Sequence, residues 1–348
     1  MGPLFSRRPL NRWRSRFREL GAHCSTMSAT WRVEREIERV LTSRGRILVG
    51  PWFSEVGYEV LYWLPFVRRA LAAYRVAPSR VVAMSRGGVE DWYTGLADAY
   101  VDVFDHASPS ELGQQGPKQR AVTALDTRLV EAVRREVGDC AVLHPSMMFR
   151  LFAPFWSGHA SMGFLESRTR YTMMSAARRD MPVSLPERYV AVKLYSARAL
   201  PDGVEIRERL RAVVAALGER LPVVLLDTGL AFDEHEDYRF TDDSRVLSLR
   251  RYMRPRDNLG LQTRVIAGAD LFVGTCGSVA WLAPLLGVDA VPLFADAGFL
   301  HAHLHVARRV YDRLEGAGRF SPLDLSGVVR AGLTIGVPQI AQNLPVSS

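Results

Sequence analysis

The chain has 348 residues, 48% of them hydrophobic and 24% charged. That mixture can bury a core and excludes a disordered chain, and the length favours two domains over one. The 45 lysines and arginines outnumber the 37 acids for a net charge of +8, but Arg7, Arg8, Arg12, Arg14, Arg16 and Arg18 supply part of that excess locally, and only Lys118 and Lys193 are lysines.

With Trp13 and Phe17 interleaved among those arginines, the first residues read as a disordered tail, or as an over-long start with Met27 the true beginning. The alternative is a basic helix making peripheral contact with anionic lipid at the inner membrane face. They lack the apolar stretch and small-residue cleavage site of a secretory signal. No apolar run approaches a membrane span, because the richest stretch, 271–294, is cut by Gly274, Gly277, Pro284, Gly287, Asp289 and Pro292. The three scattered cysteines, Cys24, Cys140 and Cys276, form neither a disulfide framework nor a zinc pattern, which suits a reducing cytoplasm.

In chain order, 29–43 has helical spacing at Val33, Ile37 and Val40. Residues 46–50 form a first buried strand, and 51–55 a loop. A helical pattern follows at Val60, Leu61, Leu64, Val67 and Leu71, with Pro65 predicting a kink or a delayed start. A second strand spans 80–84, an amphipathic helix 126–137, and a strand 140–143 ends at His144. Residues 149–180 are aromatic and helical in tendency. The proline-marked break at 181–188 is the expected linker. Alternation then resumes: strand 189–194, helix 205–217, strand 222–226, helix 259–267, strand 271–273, strand 290–294, and a helix over 301–314. Strands alternating with helices predict an α/β protein of two Rossmann-like domains facing a central cleft. The expected division is a basic N-terminal extension and leading helix at 1–43, one domain at 44–182 and a second at 183–348.

Two stretches place chemistry at sheet edges. In 269–287 a strand leads into the small-residue turn Gly274-Thr275-Cys276-Gly277-Ser278 and a helix starting near Ser278. Free backbone N–H groups and a helix N-terminus there favour phosphate, unless the segment is an ordinary strand-to-helix connection. In 50–69 a strand also precedes a helix. Glu55 sits in that turn, and Glu59, one helical turn later, reaches the same side. Glu55 is placed as a general base facing the cleft, or else as a helix cap. Trp52, Phe53, Tyr58, Tyr62 and Trp63 are expected mainly in the core, with Trp52 or Tyr58 able to stack on a sugar.

Of the histidines, His301 and His305 would share a helix face without a third ligand at metal spacing, so a structural helix face is expected for His301, His303 and His305. A structural role is expected for His144, and a solvated loop for the acid-rich stretch 227–243.

These segments resemble the two-domain GT-B glycosyltransferases, and most closely the heptosyltransferase-like group. The resemblance is carried by Ser54-Glu55-Val56-Gly57 with Leu64-Pro65, and by Leu271-Phe272-Val273-Gly274 followed by Leu282-Ala283 and Gly287-Val288. It departs where Cys276 stands for an aspartate, Trp281 for a histidine and Glu55 for an aspartate. It implies metal-independent, inverting transfer of a sugar from a nucleotide-sugar donor to a glycan or lipid-linked acceptor, with no cofactor. Glu55 would be the base, with Gly57, Tyr58 and Glu59 on the acceptor side. Lys193, Ser196, Arg198, Gly274, Thr275, Cys276, Gly277 and Ser278 would hold the donor, and Asp296 would meet its ribose or base. A pyruvyltransferase or nucleotide-sugar epimerase on the same plan, and a non-catalytic nucleotide-binding protein of polysaccharide assembly, are the alternatives. Nucleic acid is not an expected partner.

Overall fold

The computed structural model describes residues 28–116, 118–176, 181–230, 235–240 and 245–326. The basic N-terminal stretch, and Asp233, Glu234, Asp242 and Asp243 of the acid-rich loop, lie outside the described residues.

Among the described residues twelve strands follow in chain order: β1 Arg46–Val49, β2 Val81–Ser85, β3 Ala99–Asp102, β4 Cys140–Leu143, β5 Val190–Lys193, β6 Tyr195–Ser196, β7 Val223–Leu225, β8 Glu236–Asp237, β9 Val246–Ser248, β10 Leu271–Thr275, β11 Ala290–Phe294 and β12 Leu323–Asp324. β6 and β8 form a small antiparallel ribbon. The others build two parallel sheets, in the orders β3-β2-β1-β4 and β12-β11-β10-β5-β7-β9. β2, β5 and β10 are buried along their whole length, as parallel strands covered by helices on both faces require.

Ranked by chain position, the six strands of the second sheet run 3-2-1-4-5-6, and the first sheet runs 3-2-1-4. In such sheets the order reverses between the first and fourth strands, and ligands bind in the crevice beyond the carboxyl ends there. That crevice falls between β5 and β10 in the second sheet and between β1 and β4 in the first. The short strands β3, β9 and β12, which the sequence pattern did not mark, lie at or near sheet edges. Partial exposure leaves them without the continuous apolar run of a central strand.

The helix after β1 runs over 56–73 with a π-helical stretch at Glu59–Trp63. Pro65 has no N–H to bond back to the carbonyl of Leu61. The Tyr171 hydroxyl takes that carbonyl instead, at 2.8 Å. The helix therefore continues through the proline, where the sequence predicted a kink or a delayed start.

One hydrophobic core runs through both halves, joining Trp63 and Phe152 of the first to Trp281, Leu304 and Tyr311 of the second. The helix over 28–41 adds Val33, Ile37 and Leu41 to it. Around this core the halves are tied by Trp92 Nε1 donating to Thr263 Oγ1 at 3.1 Å and Met174 N to the Leu285 carbonyl at 2.7 Å. The helix His301–Tyr311 follows the second sheet yet reaches back to the first half, where Arg309 pairs with Glu166.

Candidate functional site

The loop after β1 is fixed from behind. Trp52 N donates to the Met84 carbonyl at 2.8 Å. The buried Gln119 side chain accepts from Phe53 N at 2.9 Å and Ser54 N at 3.1 Å while donating to the Pro51 carbonyl at 2.9 Å. Gln119 is held by Asp126, which also bonds His144 Nε2 at 2.9 Å. His144 thus supports the loop from within the core, and its other ring nitrogen meets Ser146 as the N-cap of Pro145–Trp156. On this platform Glu55 occupies the N-cap position of the 56–73 helix but makes no side-chain cap hydrogen bond. It faces a cavity instead.

That cavity, of about 310 Å³, lies between the carboxyl edges of the two sheets. Glu55 and Arg86 enter it from the ends of β1 and β2, and Arg198 and the Cys276–Ser278 turn from beyond β5 and β10. Lys118 comes from the loop that carries Gln119. Among the described residues Glu55 is the cavity's single carboxylate, beside three basic side chains, Arg86, Lys118 and Arg198. Lys118 lies 4.8 Å from the Tyr58 ring centre, and the Arg198 guanidinium 5.0 Å from that of Phe299. A low-dielectric pocket with this excess of positive charge favours an anionic ligand.

A smaller cavity of about 70 Å³ adjoins it, sharing Arg86, Tyr195, His235 and Ser278 and adding Lys193, Asp237, Asn258 and Gln262.

The sequence-derived residues separate by position. Glu55, Gly57, Tyr58, Arg198, Cys276, Gly277 and Ser278 line the larger cavity. Lys193 lines the smaller one but is already paired, 2.6 Å from Asp237. Burial pushes the Asp237 carboxyl up, yet the charge and hydrogen bond of Lys193 and the bonds from Thr228 outweigh it and hold the group below the usual carboxylate range. Within the acid-rich loop Glu236 is exposed, as a solvated loop requires, but Asp237 is the counter-ion of Lys193.

Five residues, Gly274, Thr275, Ser196, Glu59 and Asp296, line neither cavity. Gly274 is strand, not turn, and a Cβ there would lie 2.6 Å from the Lys193 carbonyl, so it serves close strand packing. The Thr275 hydroxyl, expected as a phosphate donor, is engaged by the backbone of Tyr195, donating to its carbonyl at 2.8 Å and accepting from its N–H at 2.9 Å. Ser196 Oγ accepts from Glu236 N at 3.3 Å across the β6–β8 ribbon.

Glu59 points into the first half, fully buried, accepting from Ser85 Oγ at 2.6 Å and Tyr93 OH at 2.7 Å. Glu55, as the N-cap, has a non-helical ψ of 133°, so its side chain does not share the helical face of Glu59. Burial raises the Glu59 carboxyl to about 7, against the lowering effect of the two hydroxyls and Arg86.

The turn itself is tighter than expected. The segment after it is a 3-10 turn, Ser278–Ala280, and a four-residue helix, Leu282–Leu285, so no long helix aims its dipole at the site. Gly277 and Ser278 both take positive φ, 145° and 45°. Cys276 is buried, and burial pushes its thiol up to about 12. Asp296 lines neither cavity and accepts from Gly298 N at 2.7 Å within its own loop.

Sequence reasoning missed Arg86, Lys118, Tyr195, His235, Phe299 and the role of His303. Lys118 had one available signal: it and Lys193 are the only lysines among 45 basic residues, and the structure puts both at cavity walls. His303, not the pair His301 and His305, turns into the cavity, where burial reinforced by the charge of Lys118 lowers it to about 4. Among the described residues no group of three histidines, cysteines or acids could hold a metal, and no helix is long and apolar enough to cross a membrane.

No protein-family model matches the sequence, and no curated protein does. Solved structures similar to it include E. coli heptosyltransferase WaaC with ADP, at 14% identity over 85% of this chain and 98% of that one, TM-score 0.42. The glycosyltransferase SnogD from Streptomyces nogalater matches at 13% identity over 87% of this chain and 97% of that one, TM-score 0.41. The dodecameric glycosyltransferase TibC from enterotoxigenic E. coli matches at 12% identity over 72% of this chain, TM-score 0.41, and this chain spans 58% of its length.

Proposed function

We propose that the cleft transfers a glycosyl group from a nucleotide-sugar to a glycan or lipid-linked acceptor, without a metal and with inversion. The observation that carries this reading is Glu55, the one carboxylate among the described residues on a cavity whose other charged walls are Arg86, Lys118 and Arg198. Glycosyl transfer needs a base for an acceptor hydroxyl and positive groups for a departing diphosphate, and inversion needs them on opposite sides of the sugar. Glu55 takes the first role.

Arg198, Arg86 and the backbone of the Cys276–Ser278 turn take the second, with Lys193 brought in from the adjoining cavity if the ligand displaces Asp237. Gly57 and Tyr58 stand on the acceptor side. Glu59, Ser196, Gly274 and Thr275 act behind the site, holding the elements that form it.

The test is thermal stabilisation by UDP, GDP, ADP and CMP, followed by product analysis with the matching nucleotide-sugar in the unsubstituted protein and Glu55→Gln. Stabilisation by one nucleotide, with a glycoside formed only when Glu55 is present, is the expected result. If Glu55→Gln turns over normally, the base assignment is wrong. A second reading, nucleotide binding without turnover, is favoured by the pairing of Lys193 with Asp237 and predicts stabilisation with no product from any donor.

A further inference from the structure

Tyr62 is completely buried, and its phenol oxygen lies 2.6 Å from His303 Nδ1. Trp156, in edge contact with Tyr62, offers an indole N–H, a donor only. The other imidazole nitrogen, Nε2, lies 3.4 Å from the Tyr58 hydroxyl. His303 is half-buried, and burial with the charge of Lys118 lowers it to about 4, so it is neutral at ordinary pH and one ring nitrogen donates while the other accepts.

The two tautomers differ in what they strand. With the proton on Nδ1, the imidazole would donate to Tyr62, and the hydrogen of this fully buried phenol would meet no acceptor among the described residues, a costly arrangement. With the proton on Nε2, Tyr62 donates to Nδ1 and Nε2–H donates to the Tyr58 oxygen. Lys118 Nζ sits over the Tyr58 ring, 4.8 Å from its centre. The Tyr58 oxygen then accepts from His303, and among the described residues its own hydrogen meets no acceptor. Tyr58, Lys118 and His303 all line the cavity.

We infer that Tyr58 is a hydrogen-bond donor of fixed polarity, aimed with Lys118 at a ligand oxygen that carries no proton, such as that of a phosphate or carboxylate. His303 is the positioning residue that sets this polarity, and Tyr62 locks the histidine. The direction of the hydrogen bonds excludes a ligand hydroxyl that must itself donate to Tyr58. Assigning that oxygen to the acceptor rests on the function proposed above; the relay itself does not.

Histidine-selective 15N labelling of the full chain, with His303→Gln to identify the signal, reads the tautomer at pH 7. The neutral Nε2–H form is expected, and an Nδ1–H form or an imidazolium overturns the inference. Inorganic phosphate and acetate are then titrated while the His303 signal is followed, with methyl α-glucoside as an uncharged control. Movement with either anion and none with the glucoside is expected, and the stronger of the two identifies the group.

Affinity should fall about tenfold in Tyr58→Phe and in Tyr62→Phe. Unchanged anion affinity in Tyr58→Phe, or no response to either anion, overturns the inference. If Tyr62→Phe does not fold, the tautomer of the unsubstituted protein still decides. None of these measurements needs turnover, so they stand whether or not the protein transfers sugar.

Discussion

The amide of Gly260 donates to the carbonyl of Gly87 at 2.8 Å, a backbone hydrogen bond between the two halves of the molecule. At the same point a Cβ on Gly260 would lie 2.4 Å from the Gly88 carbonyl oxygen. The wall of the smaller cavity is built beside this contact, on Asn258 and Gln262. Gly260→Ala must therefore push two backbones apart. The expected outcome is a loss of about 2–3 kcal/mol in denaturant unfolding, with weaker nucleotide-induced stabilisation. An alanine variant with an unchanged unfolding midpoint would show that the halves do not depend on this contact.

Glu59 makes stability depend on pH in an unusual direction. Its folded value of about 7 lies above the 4.5 of an ordinary glutamate. Between those values the folded state binds the proton and the unfolded state has released it. Stability therefore falls as pH rises from 4.5 to 7, by about 3 kcal/mol in total. Glu59→Gln should remove this slope and unfold at higher denaturant than the unsubstituted protein at pH 8. Urea midpoints at pH 5, 6, 7 and 8 test it, and parallel profiles for the two proteins would refute it.

Glu55, the base in the function proposed above, lines the cavity and makes no side-chain cap hydrogen bond to its own helix. Glu55→Gln should lower kcat by about 10²–10⁴ while the thermal shift with nucleoside diphosphate is kept. Loss of that shift together with activity would instead give Glu55 a role in holding the donor.

Cys276 stands where the resembling turn carries an acid, and its surroundings do not suit one. The side chain is 3% exposed. Cys276→Asp should cost about 3 kcal/mol or more, since a buried carboxylate there would have to take up a proton or disrupt the turn. The native thiol, pushed up to about 12, should resist iodoacetamide until the chain unfolds. Rapid labelling of the folded protein at Cys276, read by peptide mass spectrometry, would contradict this.

Lys193 and Asp237 form a pair in which either partner alone is a liability. Lys193→Met should cost about 3 kcal/mol by leaving Asp237 buried without its counter-charge, and adding Asp237→Leu should recover much of it. A double-variant thermal melt no better than the single one would place the value of the pair elsewhere.

The sequence by itself determined the parallel strands and their helices. Ile47–Val49 and Leu271–Val273 are continuous apolar runs that only a doubly covered sheet buries. It also put Glu55 and the Gly277–Ser278 turn at strand ends, because a turn that follows a buried strand has nowhere else to go. It did not reveal the edge strands, whose mixed exposure erases the pattern. Tertiary structure decided which polar groups remain available to a ligand. Thr275, Lys193 and Glu59 were sound candidates by type and position, yet Tyr195, Asp237 and the Ser85–Tyr93 pair engage them.

Lys118 and His303 entered the site from 63 and 248 residues beyond Glu55, brought there by a loop pinned through Gln119 and a helix returning from the other half. Hydrogen-bond satisfaction and long-range packing are properties of the folded whole. The periodicity that writes strands and helices into a sequence carries no record of them.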